Sequence, residues 1–124
     1  MDITRKLAIT FGASRIAYAV ALLVAPGRAA GPWLGSSVEK GGGRVAARAL
    51  AVRDGALGAG VVTAAATGKP MRPVLAACAV SDLVDMTATL IDRGALPNRS
   101  APATVVVAGG AAAAGVALAA ASSE

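Results

Sequence analysis

The chain has 124 residues, of which 56% are hydrophobic, 15% charged and 2% aromatic. A soluble domain carries about 25% charged residues and builds its core on large side chains, whereas here only Phe11, Tyr18 and Trp33 are aromatic and Ala, Val and Gly dominate. The net charge of +5 comes without the basic run or stacking aromatics that nucleic acid requires, the lone Cys78 forbids an internal disulfide, and the absence of histidine removes the usual general base and metal ligand.

A mean hydropathy of +0.65 and a supply of small residues point to an integral membrane protein, in which small side chains let helices touch. After Arg5 and Lys6, the run Leu7 to Ala25 is long enough to cross a bilayer and stops at Pro26-Gly27. Its basic start mimics a secretory signal, but Arg15 splits the apolar run and further apolar segments follow, so it reads as a retained span. Phe11, Tyr18 and Leu22 surround Arg15 at helical spacing. Gly27 to Arg44 reads as the longest connection, with turn signals at Gly31-Pro32 and Gly41 to Gly43. Trp33 within it is either an interface anchor or part of a lid or headgroup-binding loop. The glycine triplet lacks the Gly-Lys-Ser/Thr spacing of a phosphate loop.

The second span covers 45–67. Gly58-Ala59-Gly60 within it lacks the third glycine and preceding strand of a dinucleotide fingerprint, and reads as helix packing. Thr67 to Pro70 forms a tight turn into a third span, 71–91, antiparallel to the second. There Cys78, Asp82, Asp85 and Thr89 lie on one stripe. Asp92-Arg93-Gly94 ends this span and Ala95 to Pro102 is a polar connection. The fourth span, 103–121, carries no charge, and its glycines permit close helix approach. The expectation is therefore an all-α, four-transmembrane-helix bundle with short connections, one membrane domain over 1–124, in the cell membrane. Lys and Arg split four to five between its two sides: Arg5, Lys6, Lys69 and Arg72 against Arg28, Lys40, Arg44, Arg93 and Arg99. The positive-inside rule therefore leaves the orientation open.

The spans bury charge. At a rise of about 1.5 Å per residue, Arg15, Arg53, Asp54, Asp82 and Asp85 fall within a slab of roughly 10 Å, with Arg48 nearer the interface and able to snorkel. Arg15, Arg48 and Arg53 balance Asp54, Asp82 and Asp85. A lone Arg or Asp at mid-membrane costs about 2.5–3.5 kcal/mol on the insertion scale, so pairing across the bundle interior is expected. The preferred partners are Arg15 with Asp82, and Arg53 with Asp85 or Asp54. With Tyr18, these six residues are the candidate polar core.

Three readings compete for this core. It is a structural network that fixes helix partners, in a protein that docks on other membrane helices or on a second copy of itself. Alternatively it is an enzyme site in which Asp82 or Asp85 acts as acid or base in an apolar pocket, or a charge path in a small transporter subunit. Asp82-x-x-Asp85 alone is a weak magnesium motif because no second aspartate motif accompanies it. Small multidrug exporters carry an acid in the first span where this chain has Arg15. No cofactor or metal is expected, and the bilayer is the expected partner.

Arg15 to Tyr18 before Leu22-Leu23-Val24-Ala25-Pro26, the run Ala47 to Gly58, and Asp82-x-x-Asp85 together resemble small actinobacterial four-helix membrane proteins of unknown function, the DUF4267 type. The resemblance covers about the first three spans. It implies a membrane location and no established activity.

Overall fold

The computed structural model describes residues 1–124 and contains five α-helices and no strand. They are α1 (Ile3–Val24), α2 (Pro26–Leu34), α3 (Gly41–Ala66), α4 (Arg72–Ile91) and α5 (Ser100–Ala121). All but α2 are long and apolar enough to cross a membrane.

Local signals explain most boundaries. Asp2 caps α1 by accepting from the Arg5 N–H at 2.9 Å, and Pro26 opens α2 at the position where a missing N–H costs nothing. α3 ends in a Schellman turn: Gly68 adopts φ +73° and the Lys69 N–H returns to the Ala64 carbonyl at 3.0 Å. Carbonyls there also accept from Arg5 Nη1, at 3.1 Å from Ala64 O and 3.2 Å from Lys69 O. Distant groups serve the other ends. The Glu124 carboxylate accepts from the Met71 and Arg72 N–H groups at the start of α4, while the Arg72 side chain donates to Ala119 O and Ser122 O at the end of α5.

Two sequence expectations change. Gly27 to Arg44 is not an open connection: α2 and a 3-10 turn over Gly35–Glu39 fill most of it. The turn signals misled because Pro26 starts a helix rather than only ending one, and Pro32 is tolerated inside this short segment. The triplet Gly41 to Gly43 forms the first turn of α3 instead of a loop. Gly43 must be small because a Cβ there would collide with the Ser37 carbonyl.

α3 packs chiefly along α1 and α4 along α5, so the Thr67 to Pro70 turn joins two helix pairs. Apolar packing forms two separate clusters. Ala8, Val61, Met71, Leu75 and Cys78 belong to one, near the turn between α3 and α4. Ala19, Leu22, Ala30, Val38 and Ala51 belong to the other, around α2. Outward faces are apolar: Val24, Val52, Val84, Ile91, Val106 and Val107 are all more than half exposed. Charges inside and aliphatic side chains outside invert the pattern of a soluble bundle and match one solvated by lipid.

Candidate functional site: an ion-paired floor beneath a cavity

The site begins with two glycines. At the crossing of α1 and α3, a Cβ on Gly12 would lie 2.7 Å from the Gly58 carbonyl oxygen, and one on Gly58 would lie 2.5 Å from Gly12 O. Only glycine at both positions allows this backbone approach. One turn away from that crossing stand Arg15 on α1 and Asp54 on α3, and the same closeness brings their side chains into contact.

Arg15 Nη1 donates to both oxygens of Asp82, at 2.9 and 2.8 Å, while Nη2 donates to Asp54 Oδ1 at 2.9 Å. Arg53 donates to Asp85 through Nη1 and Nη2 at 2.9 and 2.6 Å. Its Nη2 also reaches Asp54 Oδ1 at 3.1 Å. Asp54 thus bridges the two arginines and ties α1, α3 and α4 into one layer between the apolar clusters. Arg15, Asp54 and Asp82 are 7%, 7% and 6% exposed, so this layer is genuinely interior. Phe11 supports the first guanidinium, its ring centre 5.8 Å from Arg15 Cζ.

Above this layer lies a cavity of about 490 Å³, lined by residues from all five helices. Arg15, Asp54, Asp82 and Asp85 form its charged floor, and Val107, Ala108 and Ala111 of α5 supply an apolar wall. Tyr18 and Trp33 are its aromatic members. Trp33 is fixed by its indole N–H, which donates to Thr89 Oγ1 at 2.8 Å, and by Ser100 Oγ, which donates to the Trp33 carbonyl. α1 and α5 meet little, and lining residues on each of them, Ser14 and Tyr18 on one and Ala103 and Val107 on the other, are exposed. The cavity therefore opens sideways between these helices.

Of the seven residues singled out from sequence, five form the network. Tyr18 is 38% exposed, lines the cavity and donates a long 3.4 Å bond to the Ala29 carbonyl. Arg48 is the exception: it is exposed and forms no ion pair. The expected neutral balance is therefore corrected, because removing Arg48 leaves two guanidinium groups facing three carboxylates. Arg53 does not choose between Asp54 and Asp85; it takes both.

The oxygens differ in availability. Both oxygens of Asp82 and both of Asp85 already accept from a guanidinium, which weakens the acid–base and magnesium readings of that pair. Every hydrogen bond to Asp54 ends on Oδ1, and Oδ2 accepts none. The only sealed side-chain polar atoms without a partner are Arg15 Nε and Ser81 Oγ. Asp54 Oδ2 is therefore not sealed, and Asp54 is one of the residues that line the cavity. Sequence reasoning offered Trp33 as an interface anchor or part of a lid, and missed Ser100 and Thr104 as lining residues. The signal for a fixed Trp33 was Pro26, which opens a helix in the segment read as a loop.

No family model, curated protein or solved structure matches the chain.

Proposed function

We propose that this small multi-pass protein of the cell membrane is a binding protein for a small amphipathic molecule, which enters from the bilayer and rests on the ion-paired floor. The observation that carries this reading is the cavity itself: about 490 Å³ of space lies directly over the interior charges. A network serving only to choose helix partners has no need of such space, because native interiors otherwise close to crystal-like density. Pockets of about 300–1,000 Å³ with apolar walls and a few converging polar groups are the usual form of a small-molecule site. The likeness to small four-helix membrane proteins of unknown function is a proposal about kinship and names no ligand.

The test uses Trp33, the one tryptophan of the chain, as the reporter. In nanodiscs, 6-bromohexan-1-ol is expected to quench Trp33 emission saturably, and Ala108→Phe, which fills the cavity, is expected to remove the saturable part while helicity is retained. Quenching that rises only in proportion to probe concentration, equally in both proteins, would refute the reading.

A further inference from the structure

The charge count and the free oxygen point to the chemical class of the occupant. Two arginines face three aspartates, so the fully ionised layer carries one uncompensated negative charge in the interior of a bundle surrounded by apolar faces. An unpaired charge in such a place is strongly unfavourable, and interior ionisable groups are normally matched by a partner. Arg48 cannot supply the match from its exposed position. The carboxylate oxygen that lacks a donor, Asp54 Oδ2, is unsealed and belongs to a residue that lines the cavity. Tyr18 and Trp33 add ring faces, which attract cations, and Val107 and Ala111 add surface for an alkyl body.

Resting on the binding reading above, we infer that the cavity takes a monocationic amphiphile, an alkylammonium type of molecule, with its ammonium donating to Asp54 Oδ2 and its apolar body along α5. The ammonium completes the charge balance of the layer and gives Asp54 its missing donor. A carboxylate or phosphate ligand would meet the opposite situation. Both arginines are already committed to aspartates, so an anion would add to the uncompensated charge.

The experiment is competition at pH 7 against the neutral brominated alcohol in nanodiscs, read from recovery of Trp33 emission. The competitors are hexylamine, hexan-1-ol and hexanoate, which share one chain and differ in head charge. Hexylamine is expected to displace the probe about tenfold more effectively than hexan-1-ol, and hexanoate least. Asp54→Asn keeps an oxygen for Arg15 and Arg53, and is expected to bring hexylamine to the level of hexan-1-ol, each read against that variant's own affinity for the probe. Equal displacement by amine and alcohol in the native protein would overturn the inference while leaving the cavity reading intact. Stronger displacement by hexanoate would overturn it in the same way. Absence of saturable probe quenching would remove the cavity reading and this one together. Should Asp54→Asn fail to fold, the competition series in the native protein still decides.

Discussion

Arg15 on α1 and Asp82 on α4 share one guanidinium nitrogen across two carboxylate oxygens, at 2.9 and 2.8 Å, although the two residues are 67 positions apart in the chain. This pair connects the helix pair α1–α3 to the helix pair α4–α5. Removing one partner strands the other in the interior, a change that costs about 3–5 kcal/mol in buried pairs. Asp82→Ala is therefore expected to lower the unfolding midpoint in detergent strongly. The cycle of Arg15→Gln, Asp82→Asn and the double variant should give a coupling energy above about 1 kcal/mol. Additive effects would show that the pair is not coupled.

The Gly12–Gly58 crossing leads to a second expectation. A methyl group at Gly58 would lie 2.5 Å from the Gly12 carbonyl oxygen and 3.1 Å from Arg15 Cβ, so α1 and α3 must separate. Overpacking of this kind costs about 1–3 kcal/mol. Gly58→Ala should fall in that range in thermal unfolding, whereas Gly110→Ala, at a position with open space, should be neutral or stabilising. Equal effects at the two sites would contradict the close crossing.

Arg48 and Arg53 stand on the same helix and should behave differently. Arg48 is exposed and unpaired, so Arg48→Gln should change stability by less than about 0.5 kcal/mol. Arg53 binds two carboxylates, and Arg53→Gln should be markedly more damaging. Chemical denaturation in mild detergent separates the two outcomes.

The contrast between these arginines also shows where the sequence stops informing. Depth along the spans was legible from residue counting, and it brought Arg15, Arg53, Asp54, Asp82 and Asp85 to one level. Azimuth was the missing coordinate. At about 100° per residue, Arg48 lies roughly 120° around the helix from Asp54. The buried stripe of α3, Ala47, Ala51, Asp54, Gly58 and Val61, passes it by. The stripe could have been traced from its small residues, but Ala and Gly occur on every face of α3, so hydrophobic contrast is too weak to mark an inward side. For the same reason α2 was hidden behind its glycines and prolines, and with it the position of Trp33. The cavity was not legible at all, since it is space left between helices rather than a pattern along one.

Glu124 gives a pH dependence outside the spans. The Met71 N–H, then the Arg72 N–H, donate to its carboxylate and hold its pKa below the ordinary glutamate value. A lowered folded-state pKa means that the carboxylate's contribution is present above the ordinary glutamate range and is lost as pH falls through the lowered value. Amide exchange at Met71 and Arg72 should be slower in the native protein than in Glu124→Gln at neutral pH, and the difference should disappear under acid conditions. A difference that persists unchanged at low pH would show that the carboxylate charge plays no part in this cap.

The two apolar clusters on either side of the ionic layer are closed off by different means. The end built around Met71 and Leu75 is clasped by Arg5, Arg72 and Glu124, whereas the end around Leu22 and Val38 rests on the short α2 and its Trp33–Thr89 bond. With fewer polar ties at its rim, the α2 end is expected to exchange its amide hydrogens faster than the clasped end.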